Sequence, residues 1–211
     1  MSTTIDLISE YQGIKLNKSI ITTNKKIKNS EITKANIFNS ATKLFIKKNY
    51  DEVRISDIAK ESGIDAALVI RYFKSKESLY TEIIKDAFSD DIHKFMSEWP
   101  DKNVGKYIAI ALLEANASNS KIEEIMELMH RSSSNELTSN IVYENIHIPL
   151  RKLIMEKIGG INAELKSSLI ISYLSGISGV KKFQNEPLFN VNNKDMLINL
   201  LSLSIDNCLN N

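Results

Sequence analysis

The chain has 211 residues, 43% of them hydrophobic, with three prolines and seven glycines, a composition typical of a helical globular protein of one or two domains. Its net charge of +1 gives no argument for a nucleic-acid partner from overall basicity. The longest apolar run, residues 107–113, is far shorter than the roughly 20 residues of a membrane helix, and the N-terminus lacks a signal-peptide stretch. Cys208 is the only cysteine, so no intramolecular disulfide can form. We therefore predict a cytoplasmic protein.

Residues 1–30 show no clear periodicity and are predicted to be an N-terminal extension. Most such extensions are frayed chain ends. Lys25, Lys26 and Lys28 come just before the first predicted helix, where an arm could reach DNA phosphates or the minor groove. Both interpretations of the extension stay open.

The first predicted helix runs from an N-cap at Ser30 to about Lys48. Its apolar residues recur at helical spacing and predict one buried face. They are Ile37, Phe38, Ala41, Leu44 and Phe45.

Residues 56–73 predict two short helices joined by a tight turn. Ser56 is a favourable N-cap for the first helix, and Gly63 can take the left-handed conformation that ends it. Asp65 is a favourable N-cap for the second helix, so only about three residues separate the two. This arrangement is a helix-turn-helix, whose second helix enters the major groove of DNA.

An ordered set of short motifs surrounds this helix pair. They are AxxLF at 41–45, Tyr50, DIA at 57–59, SGI at 62–64, RYF at 71–73 and SKESLY at 75–80. Over residues 32–80 the chain resembles the DNA-binding domain of the tetracycline-repressor (TetR) family. The resemblance implies a DNA-binding domain over about 31–80 and a helical effector-binding and dimerisation domain over 81–211.

The resemblance also implies which side chains contact DNA. Base edges would be faced by Ala66, Ala67, Leu68, Ile70 and Arg71, and phosphates would be held by Ser56, Tyr72 and Lys76. Among the base-facing residues, only Arg71 can make a bidentate contact with guanine, whereas the apolar ones can touch surfaces such as thymine methyls. Val69 and Phe73 are predicted to be core residues. Ile70 departs from the family pattern, which has an aromatic residue there, and Arg54 stands where threonine is usual.

Beyond the helix-turn-helix the pattern predicts only further helices. A fourth helix is capped by Ser75 and extends to about Met96, and Pro149 is expected to kink or split the seventh. The remaining predicted helices cover residues 104–115, 121–131, 136–157, 162–184 and 192–207. The predicted fold class is therefore all-α.

The last two predicted helices are apolar on most of their surface and must be covered on most sides. Small residues over 175–179 would allow another helix to approach closely. A four-helix bundle formed by two copies of the pair meets both needs, and the resemblance implies the same homodimer. The alternative is an intrachain core.

Aromatic, methionine and histidine side chains of the middle helices suggest a small-molecule pocket, mostly apolar with a few polar groups. The candidates are Trp99, Met129, Tyr143, His147 and Tyr173. The alternative is that each is an ordinary core residue.

Catalytic and metal sites have little support in the sequence. His93, His130 and His147 are not at ligand spacing, and no phosphate-binding glycine loop, HExxH or GxSxG motif occurs. We expect no catalytic residues, no metal and no cofactor.

Together these patterns predict a homodimeric DNA-binding transcriptional regulator, a repressor that a small-molecule effector releases from a palindromic operator. One alternative is an effector-independent architectural or cell-cycle DNA-binding protein of the same fold. Another, suggested by Ile70 and the weak charge bias, is a helical protein that no longer reads DNA.

Overall fold

The computed structural model describes residues 29–88, 94, 96–100, 102–114, 121–180 and 193–210. This part of the chain is all-α, which confirms the predicted fold class. Its elements are α1 (29–47), a 3₁₀ turn (Tyr50–Glu52), α2 (Ile55–Ser62), α3 (Ala66–Phe73), α4 (Lys76–Ala87), α5 (Val104–Glu114), α6 (Lys121–Ser132), α7 (Glu136–Val142), a π-helical turn (Tyr143–His147), α8 (Ile148–Ile158), α9 (Ala163–Val180) and α10 (Lys194–Asn210). None of these helices is long and apolar enough to cross a membrane.

Several predicted features lie outside the described residues. They are the N-terminal extension with Lys25, Lys26 and Lys28, the histidine at 93, and the predicted helix ends near 184 and 192.

The turn chemistry predicted for α2 and α3 is confirmed. Gly63 follows the last residue of α2 with φ +66° and ψ +26°, the left-handed conformation, and its N–H bonds back to the carbonyls of Ala59 and Lys60. Asp65 caps α3 by accepting a hydrogen bond from the Ala67 N–H at 2.7 Å. Ser75 caps α4 through the Ser78 N–H at 3.0 Å. These short-range contacts place α3 directly after α2.

Two predicted caps are wrong. α2 begins two residues earlier than expected, with Arg54 and not Ser56 at its N-cap, because the Asp57 carboxylate accepts the Arg54 N–H at 2.9 Å. Ser56 is therefore inside the first turn. Ser30 also lies within α1, since the described helix already includes residue 29, and its hydroxyl bonds to another helix instead.

The helix with Pro149 is not split in two. It runs from α7 to α8 through the π-helical turn, and Pro149 is the second residue of α8. A proline removes one backbone N–H, and a wider π turn just before it changes the local hydrogen-bond pattern without ending the helix. The turn places Tyr143 and His147 on the same side of the helix.

One hydrophobic core runs from the N-terminal helices into the body of the protein. α4 connects the two parts, because it packs against α3 and also against α6 and α7. Val69 and Phe73 are 0% and 1% exposed, which confirms the prediction that they belong to the core. The outer side of α3 is therefore the side left for contacts with other molecules.

Near the C-terminus, α5 crosses α10 at Gly105. The Gly105 N–H donates to Asp206 Oδ1 at 2.8 Å, and a Cβ at Gly105 would lie 2.7 Å from that oxygen. Only glycine allows α5 to approach α10 so closely.

α9 and α10 are buried on one side only. Ile170, Leu174 and Ile198, among others, face the core. Large apolar side chains are nevertheless exposed on both helices, namely Leu165, Leu169, Met196, Leu200 and Leu203 at 45–65% exposure. An intrachain core therefore accounts for only part of the apolar surface of these helices.

Candidate DNA-binding surface

The exposed face of α3 carries the residues predicted to face bases. Ala66, Ala67, Ile70 and Arg71 are exposed and Leu68 is half-buried, whereas the opposite face of the helix is buried. This surface combines small apolar side chains with a single cation. Its chemistry suits contact with thymine methyl groups beside one bidentate contact to guanine.

Tyr72 connects α3 to the start of α1. Its hydroxyl lies 3.1 Å from the Ser30 hydroxyl, and the Arg71 guanidinium carbon lies 5.5 Å from the centre of its ring. The pKa of Tyr72 is lowered mainly by the hydrogen bond with Ser30, and Arg71 lowers it further. Tyr72 thus orients α1 and Arg71 as well as presenting a hydroxyl near the surface.

Lys76, at the first position of α4, makes two hydrogen bonds within the protein. Its Nζ donates to the carbonyl oxygens of Tyr50 and Val53, both at 3.0 Å, and lies 3.9 Å from the centre of the Tyr50 ring. Burial lowers its pKa. An ammonium group has three N–H donors, and these two hydrogen bonds use two of them.

An aromatic cluster supports the turn that Lys76 holds. The ring centres of Phe45, Tyr50 and Tyr80 are 5.0–5.8 Å apart, in the edge-to-face and stacked geometries that aromatic rings prefer. Burial, aided by Tyr50, raises the pKa of Tyr80. The sequence predicted Phe45 to be buried, but Tyr50 and Tyr80 were noted only as parts of the family motifs. No local pattern predicted the contact among the three rings.

The junction between α3 and α4 places one more cation at the surface. Lys74 has φ +66° and ψ −50°, and the Ser75 N–H donates to the Phe73 carbonyl at 2.7 Å, which makes this a γ-turn. The side chain of Lys74 is exposed directly after α3. Sequence reasoning missed it, because a lysine in a short linker is not distinguished from other surface lysines.

Ser56 is exposed in the first turn of α2. The free N–H groups and the dipole of a helix N-terminus favour an anion such as a phosphate. Ser56 does not cap the helix, and its contact with a phosphate stays a prediction.

The comparison with known families agrees with this geometry. Residues 37–83, from the middle of α1 to α4, match the family described as bacterial regulatory proteins, tetR family. The tetR-family resemblance predicted from the sequence is therefore confirmed over these residues. No curated protein matches this chain in sequence.

Solved structures extend the likeness beyond the helix-turn-helix. A tetR-family transcriptional regulator from Streptomyces coelicolor has a TM-score of 0.60 at 20% identity, with 84% of this chain and 80% of that chain covered. NalD of Pseudomonas aeruginosa, the secondary repressor of the MexAB-OprM multidrug efflux pump, has a TM-score of 0.58 at 16% identity, with 82% and 96% covered. FadR, a fatty acid degradation regulator from Bacillus halodurans, has a TM-score of 0.56 at 22% identity, with 80% and 97% covered. At these identities the likeness shows that the chain has the fold of tetR-family transcriptional regulators.

Two of the five residues predicted for the effector pocket contact each other. Tyr143 and His147 stack with ring centres 6.1 Å apart, and Tyr143 is 47% exposed. Burial lowers the pKa of His147, and Arg151 lowers it further. Met129 is buried and Tyr173 is half-buried.

Trp99 lines a cleft of about 530 Å³. Its apolar walls also include Val104, Ile158 and Leu209, and Lys102 and Lys157 add two cations. Met129, Tyr143, His147 and Tyr173 do not line this cleft. The size of the cleft is within the usual range for small-molecule sites.

Proposed function

We propose that this tetR-family protein is a sequence-specific DNA-binding repressor that reads its operator with α3. The observation that carries the proposal is the division of α3 into a buried face and an exposed face that bears Arg71. Residues 31–80, which we call the reading domain, bind DNA, and residues 81–211 form the effector and dimerisation domain. Likeness to the repressor NalD supports the sign of regulation.

The working unit is a homodimer formed through α9 and α10. Leu165 and Leu169 are four residues apart, as are Met196 and Leu200, so each helix presents an apolar face. Two copies of the pair, packed as a four-helix bundle, would cover these faces. A two-fold dimer presents two copies of α3, and its operator is therefore a palindrome.

A small-molecule effector releases the repressor. If the effector prefers a dimer whose two reading domains are wrongly spaced for two major grooves, it weakens DNA binding, and DNA weakens effector binding by the same factor. Such couplings are typically about 5- to 150-fold. The cleft beside Trp99 is the effector site that the described part of the chain supports best.

Selection of bound fragments from genomic DNA at a stated salt concentration tests the DNA-binding proposal. We expect one or a few palindromes, with affinity about ten- to a hundredfold lower for Arg71→Ala, because one bidentate base contact is lost. Lys85→Ala is the control, since it removes an exposed cation from α4 outside the reading domain. Enrichment without a shared palindrome would contradict the proposal and favour an architectural DNA-binding protein.

The effector proposal is tested with compounds related to the genes beside the recovered operator. Trp99 is the only tryptophan in the chain and is 3% exposed, so its fluorescence reports directly on occupation of the cleft. Operator affinity is measured with and without each compound that changes this fluorescence. Unchanged affinity at saturation would contradict effector release.

A further inference from the structure

We propose that Arg131, at the end of α6, is a positioning residue that holds each reading domain at the angle needed to bind two half-sites at once. It acts on residues 46–53, which comprise the end of α1 and the 3₁₀ turn that follows it. We call these residues the connecting segment. This inference rests on the proposed operator binding by a dimer, and it adds the contact that sets the orientation of the reading domain.

Two side chains from the body bind the connecting segment. Arg131 Nε donates to the Ile46 carbonyl at 2.6 Å and also lies 2.7 Å from Glu127 Oε1. Ile46 is in the last turn of α1, where carbonyls lack partners within the helix, so a cationic donor is well matched to it. Asn135 Nδ2 donates to Asp51 Oδ2 at 2.9 Å. The body thus holds the segment near both of its ends.

The same segment is bound from within the reading domain. Lys76 donates to the carbonyls of Tyr50 and Val53, and Arg54, the N-cap of α2, follows Val53 directly. Any displacement of the connecting segment is therefore transmitted to the start of α2 and to the start of α4, which lie on either side of α3. Arg131 acts on α3 through backbone groups and does not contact the DNA surface itself.

The residue before Arg131 contacts the proposed dimer helix. His130 Nε2 lies 3.2 Å from the Ser175 carbonyl of α9. Its ring lies against Gly179, where a Cβ would be 2.6 Å from His130 Cε1. The adjacent residues His130 and Arg131 thus contact α9 and α1, respectively. The last turn of α6 therefore contacts both a helix of the proposed dimer interface and the reading domain. Coupling between two sites requires such a continuous chain of contacts.

The test compares Arg131→Met with Arg151→Met. Arg151 is a matched control, because it pairs with Glu164 at 3.6 Å, is 29% exposed against 32% for Arg131, and connects α8 to α9. Affinity is measured by fluorescence anisotropy for the full palindromic operator and for a duplex with one half-site. Light scattering verifies the dimer.

Arg131→Met should weaken binding of the full operator by about tenfold, which corresponds to the loss of one charged hydrogen bond. It should change half-site binding by less than about twofold, because a single reading domain needs no fixed orientation relative to its partner. Arg151→Met should change neither affinity. Hydrogen exchange of residues 41–53 should be faster in Arg131→Met only.

An equal loss on both duplexes would mean that Arg131 merely supports the fold, and it would overturn the proposal. Unchanged or tighter operator binding would also overturn it. If Arg131→Met does not fold, Arg131→Lys keeps the charge beside Glu127 while removing the Nε donor, and the same comparison applies. Failure of the wild-type protein to bind any palindrome would instead contradict the proposed function.

Discussion

The ammonium group of Lys76 donates to the carbonyl oxygen of Tyr50 at 3.0 Å and lies 3.9 Å from the centre of the same residue's ring. A lysine that the family resemblance assigns to a DNA phosphate thus also supports the fold. The two roles are compatible, because the backbone hydrogen bonds use only two of its three N–H donors. They can be separated by measuring stability and DNA affinity on the same variant.

Lys76→Met should lower the free energy of unfolding by about 1–3 kcal/mol, because the carbonyls of Tyr50 and Val53 lose a charged donor. Urea unfolding followed by circular dichroism measures this. If Lys76 also binds a phosphate, the slope of log affinity against log salt concentration falls by about one. Lys85→Met is the control and should change neither quantity. If Lys76→Met is as stable as the wild type, the hydrogen bonds of Lys76 do not stabilise the fold.

Gly63→Ala should destabilise the protein by about 1–2 kcal/mol, because an L-residue is strained at φ +66°. No heavy atom lies within 4 Å of the added Cβ, so a steric clash cannot be the cause. Gly63→Asn should cost less, since asparagine tolerates the left-handed conformation better. Equal unfolding midpoints for the two variants would contradict an origin in backbone strain.

Leu169→Glu combined with Leu203→Glu should convert the proposed dimer to a monomer, because four carboxylates would be buried in the bundle. Light scattering at several protein concentrations measures the mass. Leu137→Glu is the control, since Leu137 is a similarly exposed leucine on α7, outside the proposed interface. A dimer that persists in the double variant would place the interface elsewhere.

Stability should fall when the pH is lowered below about 6.5, in part because of His147. Burial and Arg151 lower its pKa in the folded state, so the unfolded chain takes up a proton at a pH where the folded protein does not. The stabilising effect is therefore complete above the unfolded pKa and is lost as the pH falls through the folded pKa. Unfolding at pH 7.5 and 5.5 should show a smaller pH dependence in His147→Gln than in the wild type, and an equal dependence would contradict the assignment.

The sequence by itself determined the all-α fold class, the turn between α2 and α3 and the likeness of residues 37–83 to the tetR family. Gly63, Asp65 and Ser75 act on backbone groups at most four residues away, and such contacts can be predicted from neighbouring residues alone. The burial of Val69 and Phe73 was also predicted, alongside the residues that the family resemblance assigns to DNA. The local rules predicted the wrong N-cap for α2. The Asp57 carboxylate accepts the Arg54 N–H, so the helix starts after Arg54 and Ser56 lies inside it.

Only the tertiary structure decided which distant residues meet. Ser30 reaches Tyr72 across 42 positions, and Arg131 reaches Ile46 across 85, although neither pair shares a local pattern. Trp99 likewise lines one cleft together with Ile158 and Leu209, although these residues are far apart in the sequence. Helix spacing predicts which face of a helix is apolar, but the angle at which two helices cross depends on the shapes of all the side chains between them.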